Sequence, residues 1–253
     1  MKLMGRLLAA DSLNDVTIIL GYQMSYPEEI VGIIRAEDCE KVNEPGLYTA
    51  LVINSKPAVI KVLPLISDDE MIRGQVPMTK ENIRHLSVMK LGLTDGAVVY
   101  DIGSGTGSVA CEIAAQSSGI KVYAIECKEE ACSLIGQNAE KFGLSNIQII
   151  HGKAPEALER LEPPTHAFIG GSSGELREIL KVLKKAAGSV RIVINAVSLE
   201  TIAEIQSTLK VFKVSDLSVE QISVSRSREL GNYHLMTAEN PVLIASFTMG
   251  GES

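Results

Sequence analysis

From Thr79 onward the sequence alternates between short apolar runs and segments with helical periodicity, and this alternation restricts the fold more than any other feature. The runs are rich in branched apolar residues, as strands buried on both faces are. Five of them lie at residues 97–100, 121–125, 147–150, 167–169 and 190–194, with helical segments placed among them. Repeated βα units form a parallel sheet with helices on both faces, so we expect an α/β fold.

The ends of the helical segments carry recognisable signals. Thr79 is the predicted N-cap of the first helix, and Gly143 is a predicted C-terminal cap of the third. Two final apolar runs, at residues 221–224 and 242–247, have no helix between them. We expect these two runs to pair as an antiparallel edge of the otherwise parallel sheet.

The first part of the chain has a different character. Residues 15–20 and 47–53 are predicted strands, and residues 21–27 are a predicted loop between them. A polar connector, Ser67–Glu70, follows. We therefore expect two domains, with residues 1–64 forming a small α/β segment and residues 65–253 forming the main domain. Some 60 residues with so few elements are marginal as an independent fold.

Composition excludes several classes of protein. The net charge of −7 disfavours a nucleic-acid partner held by phosphate neutralisation. No apolar run approaches the roughly 18 residues of a membrane span, and Met1–Arg6 lacks a signal-peptide cleavage site, so we expect a cytoplasmic protein with no membrane partner. The four cysteines have no metal or redox spacing, which predicts free thiols and no metal site.

A glycine-rich loop, Asp-Ile-Gly-Ser-Gly-Thr-Gly-Ser at residues 101–108, follows the first apolar run. Doubly wound folds bind nucleotides at this position. A dinucleotide loop requires Gly-x-Gly-x-x-Gly, but Gly107 comes one residue early. Asp101 suits a cationic ligand better than a pyrophosphate, and S-adenosylmethionine carries both an amino group and a sulfonium. We expect Asp101 to act on that amino group, directly or through water, or to fix the loop.

Glu126 supports the same cofactor. It stands at the tip of the second strand, 19 residues after Gly107, where a carboxylate can accept both ribose hydroxyls. Nicotinamide enzymes have an acid at the same place, so only the combination of loop and acid discriminates. The combination predicts a Rossmann-like class I S-adenosylmethionine (SAM)-dependent methyltransferase fold, with a nicotinamide enzyme or a ligand-free turn as the alternatives.

The loop after the fourth strand bears on the substrate. Enzymes that methylate exocyclic amines usually carry Asn/Asp-Pro-Pro-aromatic there, whereas this chain has Gly170, Gly171 and Ser172. Such a loop is expected to present backbone N–H groups at a helix N-terminus to an anionic substrate. A flexible turn with an N-cap is the alternative.

Several motifs, in order, resemble the CbiT family of decarboxylating carbon-15 methyltransferases, which act on precorrin-6Y or cobalt-precorrin. They lie at residues 77–80, 101–108, 152–158, 169–172, 195–201 and 240–242, and the resemblance covers roughly residues 67–253. It implies SAM as the cofactor and a tetrapyrrole in cobalamin biosynthesis as the substrate. It also implies a homotetramer.

The resemblance places the cofactor on Thr79, Gly103, Ser104, Gly105, Thr106, Gly107, Glu126 and Ala154. The family often has Asp after Gly152, but Lys153 stands here and cannot accept a hydrogen bond from the adenine amine. The backbone of Ala154 is therefore expected to contact adenine, and Lys153 is expected to point to solvent.

A substrate with many carboxylates requires cationic and N–H donors. The candidates are Arg73, Gly170, Gly171, Ser172 and Arg226 or Arg228, with Asn195 and Ser198 as polar contacts. A reduced tetrapyrrole is electron-rich at its meso carbons, so its attack on the methyl group is expected to need no strong base. The sequence accordingly indicates no catalytic residue.

Residues 1–64 resemble the C-terminal end of CbiE, a tetrapyrrole methylase often fused upstream of CbiT, through Leu20-Gly21-Tyr22 and residues 27–30. That resemblance implies no carbon-5 methylation by this chain and an association with a CbiE-type methylase. Two other functions stay open at this point: an RNA methyltransferase of the same fold, and a non-catalytic SAM-binding module.

Overall fold

The structure, a computed structural model, describes residues 16–42, 45–55 and 65–250. The chain divides into two compact units, residues 1–62 and 63–253. The predicted boundary after residue 64 falls close to this division. The predictions for Met1–Arg6 and for Asp15 lie outside the described residues.

The first unit contains a three-stranded antiparallel sheet. Its strands are β1 (Thr17–Tyr22), β2 (Ile30–Arg35) and β3 (Tyr48–Ile53), in the order β2-β1-β3. Helical structure in the described part of this unit is limited to the 3-10 helix Ala36–Lys41, so the predicted α/β character is not found there. That segment supplies two buried apolar side chains, Ala36 and Cys39, which cover the sheet over a single turn.

The second unit is built on a seven-stranded sheet. Its strands are β4 (Val98–Ile102), β5 (Lys121–Glu126), β6 (Ile147–His151), β7 (His166–Ile169), β8 (Ser189–Ala196), β9 (Val214–Ile222) and β12 (Val242–Gly250). The strand order is β6-β5-β4-β7-β8-β12-β9. The pairs among β4 to β8 are parallel, and β12 runs antiparallel to β8 and β9. The predicted α/β fold is confirmed, as is the antiparallel pairing of the last two strands of this sheet.

The described part of this unit has five α-helices, of which the first precedes the sheet and the other four connect its strands, and their positions agree with the sequence periodicity. They are α1 (Glu81–Leu91), α2 (Ser108–Ala114), α3 (Glu129–Lys141), α4 (Leu176–Ala186) and α5 (Leu199–Leu209). Successive residues of β4 explain the continuous apolar run there: Val99 packs in one core cluster and Tyr100 in another. A strand whose two faces are both buried requires apolar residues at every position.

Two local predictions differ from the structure, at the N-cap of α1 and at Leu199, and the polar connector is found to be ordered. The N-cap of α1 is Lys80 rather than Thr79, and it makes no side-chain capping bond. The polar connector Ser67–Glu70 is an ordered turn, in which Ser67 and Glu70 form a capping box around a 3-10 helix. Leu199, predicted on the apolar face of α5, is 80% exposed.

A hairpin that the sequence did not predict lies between β9 and β12. It consists of β10 (Ser225–Leu230) and β11 (Tyr233–Ala238), which pair only with each other among the described residues. All of its side chains are exposed, so it lacks the alternation of a half-buried strand. No helix in the described ranges is long and apolar enough to cross a membrane.

Candidate active site

A cleft of about 830 Å³ lies at the carboxyl ends of the parallel strands. Open α/β sheets bind ligands at this edge, and the volume is within the range of about 300–1,000 Å³ that is typical of small-molecule sites. The loops after β4 to β8 line the cleft, together with residues 76–80 and the start of α1. The fold thus brings the predicted cofactor loop and the predicted substrate loop to one cavity.

The glycine loop after β4 requires glycine at two positions, because of its backbone conformation and its close contacts. Gly103 has φ +73° and Gly105 has φ +57°, a region that side chains disfavour. A Cβ on Gly103 would lie 2.9 Å from the carbonyl oxygen of Gly171, and one on Gly105 would lie 2.8 Å from that of Pro77. The loop therefore packs backbone against backbone on two neighbouring segments.

The side chain of Glu126, at the end of β5, also holds this loop in place. Its Oε2 accepts a hydrogen bond from the N–H of Gly105 at 3.0 Å. Its Oε1 accepts from the N–H groups of Cys127 at 2.8 Å and Lys128 at 3.0 Å. The carboxylate is only 8% exposed and lines the cleft, so its orientation is fixed before a ligand arrives.

Three predicted cofactor residues do not line the cleft. Asp101, Thr106 and Gly107 belong to the glycine loop, but they are buried and absent from the cleft lining. Neither carboxylate oxygen of Asp101 has a hydrogen-bond partner among the described residues, and burial raises the pKa of this carboxyl to about 7. Gly107, with φ +78°, is the N-cap of α2. Because this carboxyl makes no hydrogen bond with the described residues of the loop, the structure favours none of the interpretations of Asp101, and its role stays a prediction.

The other predicted cofactor residues do meet in the cleft. Thr79, Gly103, Ser104, Gly105, Glu126 and Ala154 all line it. Ser104 is held by its hydroxyl, which donates to the carbonyl oxygen of Asp101 at 2.8 Å. Lys153, predicted to point to solvent, lines the cleft with its side chain 55% exposed, and its ammonium is 3.9 Å from Glu175.

The substrate loop after β7 lies in the cleft, but the N–H of Gly170 and the hydroxyl of Ser172 are used elsewhere. The N–H of Gly170 donates to the carbonyl oxygen of Ile102 at 2.9 Å. Helix α4 begins only at Leu176, whose N–H donates to Glu204 at 2.8 Å, and Ser172 donates to the same carboxylate at 2.8 Å. Glu204 of α5 therefore occupies part of this helix N-terminus, and the binding of an anionic substrate by the loop stays a prediction.

The two polar residues predicted after β8 differ in position. Asn195 lines the cleft, and its amide donates to Ser87 of α1 at 2.9 Å. Ser198 is not among the lining residues, because its hydroxyl caps α5 by accepting from the N–H of Thr201 at 3.2 Å.

The predicted arginines do not reach the cleft. Arg73 and Arg228 are exposed and absent from its lining. Arg226 is engaged by two carboxylates, Glu81 at 3.0 Å and Glu239 at 3.1 Å. Within the described residues no group of three or more His, Cys, Asp or Glu side chains could hold a metal ion.

Known proteins match the part of the chain that forms this cleft. A family described as precorrin methyltransferase domains matches residues 70–249. A relative from Sulfurisphaera tokodaii, named "Probable cobalt-precorrin-6B C(15)-methyltransferase (decarboxylating)", is 41% identical over 186 residues, 72% of this chain and 96% of the relative. The chain belongs to the precorrin methyltransferase family.

Solved structures of the same family agree. A precorrin-6Y C5,15-methyltransferase from Geobacter metallireducens superposes with a TM-score of 0.68 at 30% identity, over 72% of this chain and 96% of the other. A structure described as precorrin 8W decarboxylase from Methanobacterium thermoautotrophicum gives 0.66 at 34% identity, over 74% of this chain and all of the other. The match of the precorrin methyltransferase family begins at residue 70, so the resemblance of residues 1–64 to CbiE stays a prediction.

A more distant likeness concerns the RNA alternative. A tRNA (m1A58) methyltransferase from Aquifex aeolicus covers 93% of this chain with a TM-score of 0.58, but at 14% identity. Likeness at that identity shows the fold alone. It does not favour RNA as a substrate of this precorrin methyltransferase family member.

Three lysines line the cleft, namely Lys80, Lys128 and Lys153. Sequence analysis named neither Lys80 nor Lys128, and it expected Lys153 to point to solvent, which agrees with its 55% exposed side chain. The ammonium of Lys80 is 4.0 Å from Asp68, and its side chain is 43% exposed. All three lysines lie within two residues of a strand or helix end, which is the signal that could have indicated them, since functional loops follow such ends.

Proposed function

We propose that this chain transfers a methyl group from SAM to carbon 15 of a corrin precursor, precorrin-6Y or cobalt-precorrin, with loss of carbon dioxide from the ring C acetate. The observation that carries the proposal is the cleft in which the Glu126-bound glycine loop and the loops after β7 and β8 meet. The names of the matching relatives support the choice of substrate.

The cleft residues fit SAM. Glu126 presents a fixed carboxylate to the ribose hydroxyls: Oε2 accepts one backbone hydrogen bond and keeps a lone pair for a hydroxyl, whereas Oε1 already accepts two. The backbone of Gly103 to Gly105 would follow the cofactor closely, the backbone of Ala154 would contact adenine, and Thr79 would contact the cofactor from residues 76–80. Bound there, SAM supplies an electrophilic methyl group on a sulfonium.

The protein's contribution to the reaction is alignment. A reduced tetrapyrrole is electron-rich at its meso carbons, so a fixed geometry of carbon, methyl and sulfur supplies the rate enhancement without a strong base. Asn195 is held on Ser87 at the end of β8 and would orient the macrocycle from there. Gly170, Gly171 and Ser172 would contribute shape at the end of β7, where the absence of a Cβ on Gly171 leaves open space.

The charge of the cleft suits an acidic substrate. Three lysines and two glutamates line it, so it is locally cationic in a chain of net charge −7. We assign carboxylate binding to Lys80, Lys128 and Lys153. Arg73, Arg226 and Arg228 are not part of this assignment, because they lie outside the lining.

We propose a homotetramer in the cytoplasm, which associates with a CbiE-type methylase. An isolated two-stranded hairpin is marginally stable in water, and the β10–β11 hairpin exposes Leu230, Tyr233, Leu235 and Met236. Packing against other copies would cover them. The four cysteines are free, as in proteins of a reducing compartment.

Methyl transfer from labelled SAM tests the proposal. Purified protein is incubated with precorrin-6 substrates, with their cobalt forms and with bulk tRNA. We expect label in a corrinoid and none in tRNA. Label in tRNA alone would support an RNA methyltransferase. Tight SAM binding with no transfer to any corrinoid would support a binding module, and either result refutes the proposal.

A further inference from the structure

We propose that the buried guanidinium of Arg84 is a positioning residue for the cofactor site. It holds residues 66–80, here called the wall segment, against the core. The inference rests on the proposed function, since it assumes that the cleft binds SAM. Arg84 lies on α1, is 0% exposed and does not line the cleft, so it acts through the residues that it binds.

Arg84 joins the wall segment to the core at several points. Its Nη1 donates to the carbonyl oxygen of Thr79 at 2.7 Å and to Oδ1 of Asp68 at 3.1 Å. Its Nη2 donates to the carbonyl oxygen of Ile66. Its Nε donates to Oε2 of Glu112 on α2 at 3.1 Å. One planar side chain thus fixes both ends of the wall segment.

The partners of Arg84 are fixed in turn. Glu112, fully buried on α2, also accepts from the N–H of Ile66 at 3.2 Å. Asp68 and Glu81 exchange hydrogen bonds, each carboxylate accepting the other's N–H at 3.0 Å. Each of these three carboxylates therefore accepts at least one hydrogen bond, although Oε1 of Glu112 has no partner among the described residues.

A second buried side chain anchors the middle of the wall segment. Asn138 of α3 is fully buried, and its amide both donates to and accepts from the backbone of Ile72, at 2.9 and 2.8 Å. The same amide nitrogen donates to the carbonyl oxygen of Thr106 in the glycine loop at 2.9 Å. Asn138 therefore links the wall segment directly to the glycine loop, against which the wall segment packs.

The wall segment bears on the cofactor because of where it runs. Residues 76–80 line the cleft, and the carbonyl oxygen of Pro77 lies against Gly105. If the anchors are lost, the ligand must order this segment on binding. A tenfold weaker affinity corresponds to about 1.4 kcal/mol, which is comparable to the entropic cost of ordering one backbone residue.

The decisive variant removes the clamp without leaving a buried charge. Arg84→Met alone would strand Glu112, whereas Arg84→Met combined with Glu112→Gln removes both charges. We expect the double variant to bind S-adenosylhomocysteine at least about tenfold more weakly than wild type by calorimetry. The matched control is Arg191→Met: Arg191 also binds α1, at the carbonyl oxygen of Lys90, but its other hydrogen bonds go to Asp216 and Ser246 rather than to the wall segment. We expect its affinity to be unchanged.

Wild-type binding separates the two possible failures. If wild type does not bind the ligand, the proposed function fails. If wild type and a folded double variant bind equally, or if Arg191→Met is weakened as much, the role of Arg84 is refuted and the proposed function stands.

A measurement on wild type covers the case in which the double variant does not fold. Hydrogen exchange followed by mass spectrometry reports on the amides of Asp68 and Glu81, which the network protects. We expect them to exchange slowly before ligand is added, and S-adenosylhomocysteine to slow them by less than about tenfold. Fast exchange in the unliganded protein would overturn the proposal, because the clamp would then not be formed in advance.

Discussion

The substitution Glu126→Gln tests the cofactor site most sharply, because it changes one atom of a buried side chain that is already oriented. In the unliganded protein this carboxylate accepts three backbone hydrogen bonds, from Gly105, Cys127 and Lys128. The amide nitrogen of glutamine can accept none of them. The amide nitrogen that replaces one carboxylate oxygen therefore cannot accept a hydrogen bond from the backbone or from a ribose hydroxyl.

The size of the effect follows from the charge on the acceptor. A hydrogen bond to an ionised group contributes about 1.5–3 kcal/mol. Loss of one such bond to the ribose is equivalent to roughly a 10- to 150-fold weaker affinity. Calorimetric titration with S-adenosylhomocysteine measures this directly, and thermal unfolding of the same samples reports any separate loss of stability.

Glu129→Gln is the matched control. Glu129 is the first residue of α3, three positions away, and it is exposed and outside the cleft lining. We expect its affinity to equal that of wild type. An affinity of Glu126→Gln within twofold of wild type, or an equal loss in Glu129→Gln, would show that the Glu126 carboxylate does not bind the ribose.

Three further predictions concern the loop, the helix cap and the buried acid. Gly92→Ala and Gly105→Ala both place a side chain at positive φ; Gly92→Ala should lose about 1–2 kcal/mol of unfolding free energy, and Gly105→Ala more, because its Cβ would lie 2.8 Å from the carbonyl oxygen of Pro77. Only Gly105→Ala should also weaken S-adenosylhomocysteine binding, since a Cβ at Gly92 meets no neighbour; equal affinities of the two variants would contradict this. Ser198→Ala should lose about 1 kcal/mol of unfolding free energy, measured in urea, and leave the KM for the corrinoid substrate unchanged. A raised KM would support the substrate contact that the sequence predicted for Ser198. Burial raises the pKa of Asp101 from 3.8 to about 7, so between these values the folded protein keeps a proton that the unfolded chain has lost, and stability falls as pH rises. The unfolding free energy of Asp101→Asn minus that of wild type should therefore increase between about pH 4 and 7. A difference that stays constant over this pH range in urea unfolding would refute the raised pKa of Asp101.

The sheet of the second unit was predictable because most of its strands are buried on both faces. Val98–Ile102 and its parallel neighbours appear as continuous apolar runs, and the glycine loop marks where the first of them ends. The strands β2, β10 and β11 were missed, since almost all of their side chains are exposed and carry no alternation. Exposed strands differ from loops by pairing, which the local sequence does not encode.

The errors at the site have a common cause in long-range contacts. Arg84 and Glu112 are charged residues on helices, which normally indicate a solvated face, and only the packing of α1 on α2 buries them together. The N-terminal end of α4 was expected to meet an anionic substrate, but the N–H of Leu176 there donates to Glu204, 28 residues later. Such partners are far apart in sequence, so no motif at either position indicates the contact.

The central claim concerns the reaction itself, and mass spectrometry of the corrinoid product tests it most directly. With SAM and a precorrin-6 or cobalt-precorrin-6 substrate, we predict a product that has gained one methyl group and lost one carbon dioxide. A substrate recovered with unchanged mass, while S-adenosylhomocysteine binds the same preparation, would contradict the account. A gain of two methyl groups would contradict the prediction that this chain does not methylate carbon 5.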